Sequence, residues 1–311
     1  MTYGKKLLVL SLLMMVFSQC RPAAEKENLY RPAIFALTVT DMDRSMDWYT
    51  QHLFFERDTI MHFPDYGLSV GMMHQGDFFL ELVQFADGIS RDSSLLPQGY
   101  FEIDGFFKMG FQAKDIANLY ESLASKEEIK MVAPLSKLPP ASDDYAWPGQ
   151  YFLIEDPDAN YVQFFSLKTG QPQPKEALSP FLIAVSSPDI NASIDWYEIH
   201  LRATLISHIP EPDNERALLD LDGFVLELGE FSSYMHLDSM DLSTEVELSK
   251  IQGIRKLSFS VDDIQIPYEN FKEAGVIFDF DLTEQKSMAF DRYFMIQDNY
   301  GNSIQLLQSD K

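Results

Sequence analysis

The sequence predicts an α+β protein built from four units, each with one strand, one helix and three further strands. The main observation is a helix written twice, as DMDRSMDWYTQHL from Asp41 and as DINASIDWYEIHL from Asp189, with seven of thirteen positions identical. Apolar runs typical of buried strands precede both copies, and alternating or aromatic-rich runs follow them. A weaker version of the same pattern follows each strong one, from Phe106 and from Ile254. Four βαβββ units therefore account for most of the chain.

The first unit shows how each element is predicted. AIFALTV, from Ala33, is an apolar run of strand length, and Asp41 occupies the N-cap position of the next helix. Four apolar residues of this helix recur at helical spacing, as expected of a stripe that packs on a sheet: Met42, Met46, Tyr49 and Leu53. Three strands are then predicted at 55–63, 66–74 and 77–85, with the turn HQGD between the last two.

The second and fourth units contain weaker copies of the same elements. Each begins with a strand, and an acidic residue, Asp115 or Asp263, is expected to cap the helix that follows. Each ends with a polar turn, EDPDAN or QDNYGN, before a final strand. The polar stretch 168–179, which contains Pro and Gly, is typical of a linker. The sequence thus predicts a first domain over 32–167 and a second over 180–309.

The beginning of the chain resembles a secretory signal. Lys5 and Lys6 precede LLVLSLLMMVF, an apolar run of eleven residues. This run is too short to span a bilayer, which takes about 20 residues. Cys20, the sole cysteine, follows and resembles the acceptor of a bacterial lipoprotein signal. We expect a signal peptide over 1–19, a lipid on Cys20 and a tether over 20–31, which would anchor the protein in the cell envelope. The alternative is an incidental cysteine in an ordinary signal peptide.

The composition limits the possible partners. The formal net charge is −24 over 311 residues, and loss of 1–19 with its two lysines would make it −26. Such a chain repels nucleic acid and anionic lipid headgroups, so we expect no nucleic-acid partner. Membrane attachment is expected through the lipid on Cys20 rather than through the protein surface. A single cysteine also excludes an intrachain disulfide.

The order of strand, capping Asp, helix with WY, and closing DPDAN turn resembles the vicinal oxygen chelate superfamily. This superfamily includes glyoxalase, extradiol dioxygenases, and bleomycin and fosfomycin resistance proteins. The resemblance covers 30–168 and 178–308 and implies that the four units pair into two glyoxalase-like domains, each with a cleft. Consecutive units are expected to form each pair, and the repeated helix is expected to cover the outer face of each sheet. These motifs are specific for the fold and weak for any one activity.

The resemblance also implies a divalent metal in each cleft, held by a His in the first strand and a Glu in the last strand of each unit. Carried over position by position, the ligand positions of the two domains hold Ile34, Glu81, Lys108 and Gln163, and Leu182, Glu227, Lys256 and Gln305. Aliphatic side chains cannot bind a metal, and a protonated lysine has no lone pair. No metal or other cofactor is therefore predicted, with a divalent metal on an unusual ligand set as the alternative.

Strand alternation predicts further cleft residues. Lys108 and Gln112 lie on one face of their strand, and Lys256 and Ser258 lie on one face of theirs. Arg292 is expected beside the second cleft as an additional cation.

In place of each metal centre we expect an ion pair within one domain, Lys108 with Glu81 and Lys256 with Glu227. The sequence then favours a cleft that binds an unknown small polar or anionic molecule through the lysine. Two alternatives remain. The pairs could close a degenerate pocket in a structural envelope protein, or a lysine or a metal could make the protein a lyase, isomerase or dioxygenase. A catalytic lysine needs a lowered pKa, which an adjacent Glu opposes.

Overall fold

The computed structural model describes residues 30–90, 105–137, 149–166, 174, 176–210, 214–231, 250–287 and 290–308. Cys20 and the predicted signal peptide lie outside these ranges, as does much of the predicted linker. In the part of the chain that is described, no helix has both the length and the apolar character needed to cross a bilayer.

The described residues confirm the α+β class and the four βαβββ units. The first unit contains β1 (Arg31–Thr38), α1 (Met42–Leu53), β2 (Glu56–Phe63), β3 (Leu68–Gln75) and β4 (Phe78–Phe85), with a 3-10 turn at Pro64–Tyr66. The second contains β5 (Gly105–Ala113), α2 (Ile116–Ala124), β6 (Lys130–Lys137), β7 (Gln150–Glu155) and β8 (Tyr161–Phe165). The third contains β9 (Leu178–Ser186), α3 (Ile190–Leu201), β10 (Thr204–Ile209), β11 (Asn214–Leu221) and β12 (Phe224–Phe231). The fourth contains β13 (Gly253–Ser260), α4 (Gln265–Glu273), β14 (Phe278–Ser287), β15 (Phe290–Gln297) and β16 (Ser303–Gln308).

The repeated helix begins at a side-chain cap in both copies. Asp41 accepts a hydrogen bond from the backbone N–H of Arg44, and Asp189 caps α3 in the same way. Such caps satisfy backbone donors that the first helical turn leaves without a partner. Asp263 lies one residue before the N-cap of α4, which is Ile264, but its carboxylate accepts from the backbone N–H of Gln265, the first residue of the helix, at 3.0 Å.

The pairing of the units differs from the expected one, because each sheet combines a unit from each half of the chain. The first sheet joins the fourth and first units in the order β14-β15-β16-β13-β1-β4-β3-β2. The second sheet joins the third and second units in the order β10-β11-β12-β9-β5-β8-β7-β6. The central contacts are the antiparallel pairs β1 with β13 and β5 with β9. The expectation that consecutive units share a sheet is therefore wrong.

A shared hydrophobic core lies between the two sheets. Phe35 of the first unit packs within 6.2 Å, centroid to centroid, of Phe111 of the second and Phe224 of the third. Phe224 in turn contacts Phe259 of the fourth unit at 5.8 Å. All four rings are buried, at most 2% exposed. Ile183 and Val185 of β9, the first strand of the third unit, belong to the same core. The apolar face of every first strand thus packs between the two sheets, and the opposite strand face is left for a cleft.

The two sequence signatures meet across the sheets. The hydroxyl of Tyr49 on α1 donates to Asp156 in the DPDAN turn at 2.6 Å. The helix belongs to the first unit, whose strands lie in the first sheet, whereas the turn connects β7 and β8 of the second sheet. Tyr197 on α3 donates to Asp298 in the matching turn at 2.8 Å. Both tyrosines are buried, and burial raises the pKa of each phenol well above its usual value. The WY helix and the polar turn are therefore parts of one structural contact in each half of the chain.

Candidate functional site

The first cleft is the face of the first sheet that lies opposite the shared core. In its register Ala36 of β1 pairs with Glu81 of β4 on one side and with Lys256 of β13 on the other. In the next row Ile34 pairs with Ser258, which pairs with Gln305 of β16. Four predicted ligand positions therefore do meet on one sheet face, two from each half of the chain.

The second cleft, on the second sheet, repeats this arrangement. Ala184 of β9 lies between Lys108 of β5 and Glu227 of β12. Gly110 lies between Leu182 and Gln163 in the adjacent row. Gln112, two residues further along β5, is also buried. Each cleft therefore contains one aliphatic residue, one Glu, one Lys and one Gln at the predicted positions.

Both expected ion pairs form with exchanged partners. The ammonium of Lys256 donates to both carboxylate oxygens of Glu81 at 3.0 and 3.1 Å. The ammonium of Lys108 donates to Glu227 at 2.7 Å. The lysine side chains are each 11% exposed, and the glutamates 22% and 12%. The predicted pairings of Lys108 with Glu81 and of Lys256 with Glu227 are wrong, because each sheet joins units from opposite halves of the chain.

Arg292 does not line the cleft. Its guanidinium donates to the side chain of Gln265 on α4 at 3.0 Å. Two and four residues further along β15, Phe294 and Ile296 are fully buried in the shared core. Strand alternation places Arg292 on the same face as these residues, so the side chain belongs to the helix side of the sheet.

The hydrogen bonding of the cleft glutamine differs between the two clefts. The hydroxyl of Ser258 donates to Gln305 at 2.9 Å in the first cleft. The second cleft has Gly110 at the equivalent position, and the buried Oε1 of Gln163 has no hydrogen-bond partner among the described residues. A Cβ at position 110 would lie 2.9 Å from Phe165 Cε2 and 3.0 Å from Leu182 Cβ. Glycine is therefore required for the close packing of these two side chains.

The first cleft contains a cavity of about 410 Å³ beside the Lys256–Glu81 pair. Its apolar wall includes Val83, Phe85, Phe106, Ile254 and Met295, and its polar wall includes Thr38, Arg255, Asn302 and Ser303. In the second cleft apolar side chains pack against one another and are at most 6% exposed: Phe165, Phe181, Leu182, Ala184 and Val225. The first cleft has a smaller apolar cluster at the equivalent positions, with Ala33 and Leu307 where the second cleft has Phe181 and Phe165. The two clefts thus differ in the bulk of the side chains near equivalent ion pairs.

Sequence reasoning missed the polar residues of the cavity wall. Thr38 and Ser303 could have been found, because alternation from Ala36 reaches Thr38 and Ser303 pairs with Lys256 in the sheet. Asn302 lies in the turn before β16, where no periodicity places its side chain. The contribution of Phe106, from the second sheet, follows only from the way the two sheets pack.

The side chains at the implied metal position do not fit a metal. Of the four, only Glu81 is a strong ligand for a divalent ion, and its carboxylate already accepts two hydrogen bonds from Lys256. Ile34 has no donor atom, and the amide oxygen of Gln305 accepts from Ser258. Within the described ranges, no three His, Cys, Asp or Glu side chains lie close enough together to hold a metal ion.

Comparisons with known proteins agree with this architecture. The sequence profile of the Glyoxalase/Bleomycin resistance protein/Dioxygenase superfamily matches residues 31–164 and 181–306. Glyoxalase I from Zea mays has a similar structure, with a TM-score of 0.61, 18% identity, and coverage of 90% of this chain and 93% of that one. A variant of the same enzyme gives a TM-score of 0.63 at 18% identity, covering 91% of this chain and 94% of that one.

A crystal structure of a putative dioxygenase from Bacillus subtilis is similar as well. It has a TM-score of 0.61 at 11% identity and covers 92% of this chain and 87% of that one. No curated protein sequence matches significantly. At these identities the structural similarity establishes the fold, whereas activity has to be argued from the clefts.

Proposed function

Because the chain belongs to the Glyoxalase/Bleomycin resistance protein/Dioxygenase superfamily, we propose that it binds a small polar or anionic molecule in its first cleft without a metal. The observation that carries this proposal is the Lys256–Glu81 pair, which lies among the implied metal-ligand positions and forms one wall of a cavity of about 410 Å³. Cavities that hold small ligands usually measure about 300–1,000 Å³ and combine apolar walls with a few convergent polar groups. The first cleft has both properties.

The second cleft has a structural role in this proposal. Its apolar side chains pack against each other around Gly110, and its Lys108–Glu227 pair is almost fully buried. The chain should therefore bind one ligand molecule, not two. Titration of the full chain with any ligand found should give a stoichiometry near one, and two equivalent sites would contradict this assignment.

Binding can be tested with a panel of small polar and anionic molecules and the thermal stability of the purified protein. A ligand that binds only the native state raises the melting temperature. We expect some members to stabilise the wild type and not Ala36→Leu, which places a larger side chain between Glu81 and Lys256 in the cavity. Glu227→Gln, in the second cleft, should respond as the wild type does. A panel without any stabilising member would refute the proposal.

Metal content provides a separate test. Protein purified from its own host should contain no stoichiometric divalent ion, and a chelator should leave its melting temperature unchanged. One bound transition metal or zinc per cleft would favour an enzyme instead, with Glu81 and Glu227 as the first ligands to replace.

We propose in addition that a lipid on Cys20 attaches the protein to the bacterial cell envelope. The support is the sequence alone: a basic start, an apolar run of eleven residues, and the sole cysteine three residues after that run. Cys20→Ser should give a longer precursor that partitions into the aqueous phase of a detergent separation. Unchanged partitioning would refute the lipid anchor.

A further inference from the structure

The Lys256–Glu81 pair determines the charge that the first cleft offers to a ligand. An ammonium group has three donors and a carboxylate about four acceptor positions, and the two contacts between these side chains use only part of both sets. Neither group has another partner in the part of the chain that is described. Since the opposite charges are about 3 Å apart, the pair presents a donor and an acceptor side by side without net charge.

We infer that the first cleft selects neutral molecules that carry an acceptor and a donor side by side, of which a primary amide is the simplest, over the matching carboxylates. The inference rests on the proposed binding function and names the ligand class. An amide oxygen can accept from Lys256 while the amide N–H donates to Glu81, and both bonds are charge-assisted. A carboxylate that reaches Lys256 must approach the carboxylate of Glu81, and like charges at that distance repel.

The rest of the cavity favours a ligand with an apolar body. Val83, Ile254 and Met295 lie along the wall. Arg255 also contributes to the wall, but its guanidinium donates to the backbone carbonyl of Ile251 at 2.9 Å and to that of Gln252 at 3.2 Å. These bonds direct its charge toward the backbone of Ile251 and Gln252. Lys256 is therefore the cation that a ligand meets beside Glu81.

Matched pairs of carboxylic acids and their primary amides test the inference directly. Benzoate with benzamide and hexanoate with hexanamide, titrated at pH 7 into the full chain and followed by NMR, give the ratio of the two dissociation constants. We expect the amide of a pair to bind about tenfold more tightly, because one charge-assisted bond is gained and one repulsion avoided. Tighter binding of the carboxylates would overturn the inference and leave the binding function standing. Binding of neither member of any pair would count against both.

Replacement of Glu81 should reverse the preference. Glu81→Gln removes the negative charge and leaves Lys256 to attract an anion, so the ratio should change by about tenfold or more toward the carboxylate. Glu227→Gln is the matched control in the second cleft and should leave the ratio unchanged. An unchanged ratio in folded Glu81→Gln protein would refute the inference. If that variant does not fold, Lys256→Gln should instead weaken the carboxylate further while the amide still binds, and equal loss of both probes would refute the inference.

Discussion

Replacement of Lys256 by Met tests whether the ion pairs connect the two halves of the chain. The variant leaves the carboxylate of Glu81 without its ammonium partner, in a side chain that is 22% exposed. Breaking a buried pair from one side costs about 3–5 kcal/mol, and the remaining solvent contact of Glu81 places the expected loss near 3 kcal/mol. The double variant Lys256→Met with Glu81→Gln should recover much of this loss, because no lone charge remains. The coupling energy between the two positions should then be about 2 kcal/mol.

The exchanged partners provide the matched control. Glu227 binds Lys108 in the other sheet, so Lys256→Met and Glu227→Gln should act additively within about 0.5 kcal/mol. The equivalent double-mutant cycles with Lys108→Met should show coupling of Lys108 with Glu227 and none with Glu81. Urea unfolding at pH 7, followed by circular dichroism and fluorescence, measures all the free energies. Coupling of Lys256 with Glu227 instead of Glu81 would refute the sheet topology, and weak coupling in every cycle would mean that the pairs lie in solvent.

Three further predictions follow from the fold. A single cut within 167–177 should leave two fragments that elute together without denaturant, because both sheets take strands from both halves; separate elution would contradict this topology. Tyr49→Phe removes a donor to a buried carboxylate and should lower the free energy of unfolding by about 2 kcal/mol, whereas Tyr66→Phe, at a site 78% exposed, should have little effect. Burial, with the charge of Asp158 second, raises the pKa of Asp156 to about 6, above its unfolded value. Its contribution to stability is therefore fully present below about pH 4 and is lost as the pH rises through 6. The stability difference between the wild type and Asp156→Asn should fall by up to about 3 kcal/mol over that range, and a constant difference would contradict the raised pKa.

The elements of each unit could be read from the sequence because they depend on local chemistry. The cap at Asp41 and the apolar stripe of the repeated helix depend on residues within one or two turns, and the structure has the helix at Met42–Leu53. The predicted strand at 77–85 is likewise found at Phe78–Phe85. Alternation also identified Lys108 and Lys256 as residues on the face opposite the core, since successive strand residues point to opposite sides.

Arg292 shows that alternation along its own strand would have corrected the prediction. Phe294 and Ile296 of β15 are apolar and fully buried, and Arg292 shares their face of the strand. β15 pairs with β16 without a shift of register, so this alternation holds from Arg292 to Ile296. In the folded chain Arg292 bonds to a helix on the core side.

The sequence by itself determined the repeating unit, the fold family and the residue types that each cleft contains. Only the tertiary structure decided which units share a sheet, and with it which lysine binds which glutamate. The reason is physical: β1 offers the same backbone hydrogen bonds and a similar apolar face to β5 and to β13, so local chemistry does not distinguish the two partners. The choice depends on how all four apolar faces close around one core. That closure places Lys256 beside Glu81, next to a cavity, and Lys108 beside Glu227 in the cleft with the bulkier apolar cluster.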